Sequence, residues 1–327
     1  MMQRTALIFF VAFELCYYLL IAQTGIVEYF NSDMLAIGAL PAGGVLGAFY
    51  VIFSRFSQRT LLVSLLSVQT IMTLFYPNFT PVMLFILGVS VGGIAPILVN
   101  TLKLQKGLEM GVSLAVAYTV GTSLFTTDPA SRLYMALLFS VVALISVHFL
   151  PSQSATKQTY KSYFDYSLLA MMTLWVFLDS ALFETLSRDV YIPIWRGGFS
   201  IEIVFFHILG VVAAFYYKID RTQKEFLILS LFAFSYLLFF LQEALLLSIV
   251  YPFVISYYNV VILQNLTKVK DFKMIAVSMI FIGWIASGAG LLVALENLII
   301  FVPIIFLGAI VHMINGQIKF NKEIHYV

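Results

Sequence analysis

The chain has 327 residues, of which 61% are hydrophobic and only 10% charged, and its formal net charge is +2. Soluble domains carry roughly 25% charged residues, so a soluble enzyme or a nucleic-acid-binding module is excluded. One cysteine, Cys16, excludes disulfides and cysteine metal clusters.

The N-terminus reads MMQRTALIFFVAFELCYYLL, a basic start and then an apolar run. The length of that run, Glu14 within it, and the lack of a small-residue cleavage site argue against a signal peptide. It reads as a first spanning helix. Further apolar runs follow almost without a gap, each long enough to cross about 30 Å of hydrocarbon. Spans are expected at 5–27, 34–53, 60–77, 80–101, 108–127, 131–150, 165–187, 198–218, 225–241, 245–266, 272–294 and 297–317. The third and fourth are parted only by Pro77-Asn78, and the ninth and tenth only by Gln242-Glu243. Merging either pair would give a helix too long for a bilayer. The expected fold is an all-α polytopic membrane protein with twelve transmembrane helices.

Loop charges give an independent check. With the N-terminus in the cytoplasm, the inner segments hold fifteen of the eighteen Lys and Arg residues, leaving only Arg132, Arg188 and Arg196 outside. That bias predicts a cytoplasmic (inner) membrane protein with both termini cytoplasmic. The same loops carry an internal echo. Ala48, Phe49, Tyr50 and Arg55 recur as Ala214, Phe215, Tyr216 and Arg221; Asn100 recurs as Asn265, and His148 as His312. Offsets of 164 to 166 span half the chain and predict a duplication. An offset of six spans keeps orientation, so the repeats are parallel: a six-helix bundle at 1–150, a cytoplasmic linker at 151–163 and a second bundle at 164–327.

Two parallel six-helix halves with a basic turn between the second and third helix of each half resemble the Major Facilitator Superfamily. In the first turn Arg55 and Arg59 keep that family's basic spacing, with Ser57 where it has Gly and Ser54 where it has Asp. The second turn keeps an acid–base pair, Asp220-Arg221, and Lys224, with Gln223 in the glycine position. The resemblance implies a secondary transporter whose helices one, four, seven and ten line a central cavity, and turns that latch the two halves. The family's fifth-helix antiporter signature is absent from GVSLAVAYTVGTS, and the chain is short for the family.

Polar groups deep in the apolar spans point to chemistry. Glu14 lies about 15 Å along the first helix from Arg4 at ~1.5 Å per residue. Asp179 lies mid-way along the seventh and is its repeat mate, at an offset of 165. Each costs about 2.5–3.5 kcal/mol to insert at a bilayer centre. Carboxylates so placed suit proton coupling, because burial and neighbouring charge both move a carboxyl between its protonation states. Tyr17 and Tyr18 accompany Glu14, Trp175 accompanies Asp179, and Tyr257, Tyr258 and Asn259 sit at mid-depth in the tenth helix. Trp175, as an apolar wall, makes Asp179 the first choice for the coupling residue. Aromatic walls and two acids favour a cationic or amphipathic solute. Asn100 and Asn265, near the cytoplasmic ends of helices four and ten, are candidate gate residues, or else helix caps. His207, deeper in the eighth helix, reads as a satisfied core histidine, with a place on a proton path as the alternative. Glu184, Arg188 and Asp189 close the seventh helix as an outer gate or an interfacial ion pair.

No His, Met or Cys cluster has metal-ligand spacing, and neither a cofactor motif nor a hydrolase or nucleotide-binding motif is present. The expected partners are a small-molecule or ion substrate and membrane lipid, with no nucleic acid, and the expected state is a monomer. The competing expectation is a non-transporting membrane subunit or assembly factor with a transporter-like fold. It would leave the two carboxylates facing lipid or sealed packing rather than one cavity.

Overall fold

The computed structural model describes residues 2–30, 34–103, 107–150 and 165–311. The expected linker at 151–163 and His312 therefore lie outside the described residues. Within them the chain is all-helical. The helices are α1 (Met2–Phe30), α2 (Met34–Phe53), α3 (Gln58–Thr73), α4 (Pro81–Leu102), α5 (Gly107–Leu124) and α6 (Leu133–His148). They continue as α7 (Tyr166–Arg188), α8 (Ser200–Tyr216), α9 (Arg221–Phe240), α10 (Ala244–Leu266), α11 (Phe272–Leu295) and α12 (Ile299–Val311). Six of these, α1, α4, α7, α9, α10 and α11, are long and apolar enough to cross a membrane, and α2, α6, α8 and α12 are shorter apolar helices. The chain is a multi-pass membrane protein.

The helix ends follow local chemistry. Ser57, Thr80, Asp165, Asp220 and Asp271 cap α3, α4, α7, α9 and α11, each accepting a first-turn backbone N–H. Gln223 returns the contact to Asp220, completing a capping box. The break expected at Gln242-Glu243 is where the backbone reverses: Gln242 has φ +60°, and Asn297 has φ +55° between α11 and α12. Two helices are interrupted without ending. Tyr18–Gln23 in α1 and Ile280–Ala286 in α11 are π-helical, a rare geometry that recurs at functional sites.

Glycines set the closest packing. In α2, Gly43 and Gly47 rest on the Phe85 and Val89 carbonyls of α4, while Gly88 and Gly92 of α4 rest on the Leu40 and Gly44 carbonyls of α2. These are the small-residue stripes visible in the sequence, and they let the two backbones touch. Gly210 makes the same contact between α8 and the Phe253 carbonyl of α10. Of the stripe in α11, Gly290 packs closely on α7 at Phe177, Ser180 and Ala181, whereas Gly283 borders a cavity. Gly47→Ala would press a methyl into backbone that has no rotamer to yield. Overpacking of this kind costs about 1–3 kcal/mol, so its thermal midpoint in detergent is expected to fall. Gly38, also in α2, has open space around it, and Gly38→Ala is expected to leave the midpoint unchanged or raise it.

Helices α1–α6 meet α7–α12 where α5 packs on α8, where α2 and α4 pack on α11, and where α10 touches α5. Two aromatic side chains fill notches that only glycine leaves. Phe215 of α8 covers Gly107 and Gly111 of α5, and Trp284 of α11 covers Gly44 of α2. Arg132, fully buried, fixes the interrupted end of α1. Its guanidinium donates to the Leu20 carbonyl (2.9 Å), the Thr24 hydroxyl (3.0 Å), and the Phe125 and Thr127 carbonyls (3.0 Å each). A π-helical turn frees carbonyls from the helix ladder, and a buried guanidinium can satisfy them.

Candidate functional site

Between the two sets of helices lies a cavity of about 280 Å³, small for a ligand site but of the right order for a small molecule. Its walls come from α1, α4, α5, α7, α8, α10 and α11, with Trp195 reaching in from the turn before α8. Among the described residues, no Lys or Arg lines it. Glu14 and Asp179 both do.

The two carboxylates differ in their partners. Asp179 is half-buried, and both its oxygens accept from phenols of α10: Tyr251 at 2.8 Å on Oδ1 and Tyr258 at 2.6 Å on Oδ2. Glu14 is buried and has a single donor, the Gln69 amide of α3 at 3.1 Å on Oε2. Its Oε1 and the Oε1 of Gln69 are both buried without a hydrogen-bond partner among the described residues. Asp179 thus has an O–H donor on each oxygen, while Glu14 is bonded to a glutamine whose own oxygen lacks a donor.

Of the aromatic and amide residues singled out in the sequence, Tyr18, Tyr258 and Asn259 line the cavity. Three do not. Tyr17 turns towards α3, where its hydroxyl meets that of Thr73 at 2.8 Å. Tyr257 stacks on Phe253 within α10, ring centroids 6.1 Å apart. Trp175 is buried away from the cavity, and Val176 takes its place in the wall. The apolar wall that singled out Asp179 is therefore absent, and its near neighbours are phenols instead.

Residues that the sequence did not single out complete the site. Asn259 of α10 donates to the Tyr118 hydroxyl of α5 at 3.0 Å, tying the two sets of helices together. Tyr118 lies flat on His207 of α8, with centroids 4.3 Å apart and planes at 2°, and Trp195 continues the stack at 6.3 Å. His207 is a buried, hydrogen-bonded histidine, with Nδ1 2.6 Å from the Ser256 hydroxyl, and it also lines the cavity. Tyr18 and Trp284, one from each π-helical turn, meet edge to face at 6.4 Å. Phe125, Phe183 and Trp195 crowd together at one end of the cavity, with centroids 5.4 to 6.1 Å apart. Just beyond them Arg196 pairs with Glu28 of α1 at 2.6 Å and donates to the Ser187 carbonyl at 2.7 Å.

No family model matches the sequence, and no curated protein does either. Solved structures do match. The human organic anion transporter MFSD10 (TETRAN) superposes with a TM-score of 0.65 at 14% identity, over 95% of this chain and 99% of that one. The nucleoside transporter NupG superposes with a TM-score of 0.58, also at 14% identity, over 97% of this chain and 100% of its own. The chain shares the fold of these two structures, in keeping with the architecture expected from the resemblance to the Major Facilitator Superfamily.

Within this fold the basic turns meet neighbouring helix ends of their own half. Arg59 donates to the His148 carbonyl at the end of α6 at 2.8 Å, a cation on a helix C-terminus. Arg221 bonds Asp165, the cap of α7, and Glu225 at 2.7 Å. Both contacts stay on their own side of the molecule. Asp220 is the α9 cap, Lys224 is half-buried on its first turn, and Arg55 is exposed in the turn before α3. Arg55 precedes its helix cap, Ser57, whereas Arg221 follows its own, Asp220, so the two arginines are not equivalent in the helix frame. Asn100 bonds Gln58 at 3.0 Å and Asn265 bonds the Val261 carbonyl one turn back at 2.9 Å. Lys103 lies at the end of α4. Burial lowers its pKa from the ordinary lysine value, and the opposing charge of Asp271 on α11 works against that shift. At the other end, the Arg188–Glu184 pair (3.4 Å) lies within α7, and Glu28–Arg196 crosses.

Proposed function

We propose that this protein is a secondary active transporter that carries a small solute across the cytoplasmic membrane by alternating access, coupled to protons. The observation that carries this is one cavity that Glu14 of α1 and Asp179 of α7 both line. Carboxylates facing one cavity favour a transporter over a subunit that merely keeps the fold, since that alternative has no use for them and their burial costs about 2.5–3.5 kcal/mol each.

The two acids divide the work. Asp179, held by two phenols, keeps its charge and receives the solute. Glu14 takes up and releases the proton. A protonated carboxyl becomes an O–H donor and so supplies the donor that Gln69 Oε1 lacks. This exchanges the roles that the sequence favoured, and the partner sets are the reason. MFSD10 is named for organic anions and NupG for nucleosides; a wall with two carboxylates and no described Lys or Arg argues against an anion here.

All twelve helices span, in two parallel halves, 1–150 and 164–327 joined by 151–163, related by a pseudo-twofold axis, with both termini cytoplasmic and the protein a monomer. The glycine contacts support this duplication: Gly47 on Val89 and Gly210 on Phe253 stand at offsets of 163 and 164. On this orientation Glu28–Arg196 closes the outer end, and Lys103 with Asp271 lies at the inner end. The test is uptake into proteoliposomes. A solute that shifts the protein's thermal midpoint is expected to accumulate when a pH gradient is imposed and to equilibrate without one; a bound solute that never crosses would defeat a transport function.

A further inference from the structure

We infer that the solute is a small arylalkylammonium: one positive charge, seated at Asp179, and one aromatic ring, seated against Tyr18, Tyr118, Trp195 and Trp284. Carriage of that solute rests on the transporter proposal; the chemical class rests on the walls of the cavity.

Sign comes first. The ionisable side chains in the wall are Glu14, Asp179, His207 and the phenols of Tyr18, Tyr118 and Tyr258, and none is Lys or Arg among the described residues. The nearest guanidinium groups stand behind Phe125 with their bonds committed, Arg196 to Glu28 and a carbonyl, Arg132 to three carbonyls and a hydroxyl. An anion would meet two carboxylates with no cation to offset them. Charge number follows from the rest of the wall. Val91, Ile94, Ala95, Leu114 and Ile262 occupy much of it, and a second ammonium pressed there would be desolvated without a partner. A bare metal ion fares no better: no group of three or more His, Cys, Asp or Glu side chains gathers among the described residues.

Shape selects the ring. A carboxylate has about four lone-pair sites, and the Tyr251 and Tyr258 hydroxyls occupy one on each oxygen of Asp179. The remaining pairs can accept an ammonium N–H from the cavity, which Asp179 lines. Tyr258 is held at Asp179, and its neighbour in the chain, Asn259, holds Tyr118. An aromatic face is thereby fixed close to the charge. Faces of Tyr and Trp attract both a cation and an offset or edge-on ring. Tyr118 is in turn held flat by His207, and Trp284 is held by Tyr18 and the Gly44 notch, so the rings are preorganised rather than loose.

A matched series of probes on the purified protein tests the class, with affinity read from quenching of tryptophan fluorescence and from calorimetry. 2-Phenylethylammonium is expected to bind at least ten-fold tighter than neutral 2-phenylethanol or anionic 3-phenylpropionate. Saturating the ring, as in 2-cyclohexylethylammonium, is expected to weaken binding several-fold. Asp179→Asn is expected to bring the ammonium and the alcohol to equal affinity while leaving the alcohol unchanged. Equal or tighter binding of the carboxylate probe, or no binding of either ammonium, would overturn the inference, and because these results come from the unmodified protein they do not depend on a variant folding. Transport is read apart from this: ammonium binding without uptake keeps the class and removes carriage, and uptake of an anion without ammonium binding does the reverse.

Discussion

Glu14→Gln is expected to abolish accumulation driven by a pH gradient, reducing the inside-to-outside ratio of the solute to equilibration, while exchange of labelled for unlabelled solute continues. Glutamine has the shape of the protonated acid but cannot release a proton. In the structure it fits with little disturbance. Its carbonyl can still accept from the Gln69 amide that now donates to Glu14 at 3.1 Å, and its own amide offers a donor to Gln69 Oε1, which lacks one. A buried acceptor left unpaired costs about 1–3 kcal/mol, so the thermal midpoint of the variant should hold or rise. Loss of coupling with retained stability and retained exchange is the signature of a proton site. A variant that accumulates solute like the parent, with the same pH profile, would make Glu14 a structural residue.

Joining positions 28 and 196 is expected to stop transport completely and reversibly. The Glu28–Arg196 contact is the ion pair that crosses between the two sets of helices at the outer end. It is partly exposed, and such pairs contribute about 1 kcal/mol or less. It can therefore close the outer end and still open at each cycle. Cysteines at both positions, bridged by a reducible bifunctional thiol reagent, would make that closure covalent. The native Cys16 is buried and directed at the Ala117 carbonyl, so it gives little background. Uptake should fall to that of empty liposomes after bridging and return on reduction. Undiminished uptake by the bridged protein would mean that this end never parts.

What the sequence made legible was what depends on one helix at a time. The breaks at Pro77-Asn78 and Gln242-Glu243 and the glycine stripes of α2 and α4 follow from hydropathy, breakers and small-residue spacing. Tyr118 and Trp195 were not legible. Their roles come from contacts between remote segments, such as Asn259 with Tyr118, which are 141 residues apart, and no local pattern encodes that. Faces were legible only roughly. Trp175 is four residues before Asp179, one helical turn, yet Val176 takes the wall position, and with aromatics making up 16% of the chain ring content alone cannot choose a face. Tyr17 and Tyr18 illustrate a second limit. Both lie within about one turn of Glu14, but neighbouring residues point roughly 100° apart around a helix, and one ring goes to α3 and the other to the cavity. The basic turns were legible as charged turns between helices, but their partners, a helix C-terminus and a helix cap, are fixed by tertiary packing.

The central claim is that one cavity opens alternately to the two sides, and pulsed electron–electron resonance on two spin-label pairs tests it most directly. One pair takes exposed positions at the outer end, Tyr29 of α1 and Val190 before α8; the other takes Phe53 of α2 and Lys273 of α11 at the inner end. Distances are measured in lipid nanodiscs across a pH series and with 2-phenylethylammonium present. Alternating access requires that the population with a long outer distance grows as the population with a long inner distance shrinks. Distances that stay fixed under every condition, or that lengthen together at both ends, would contradict it.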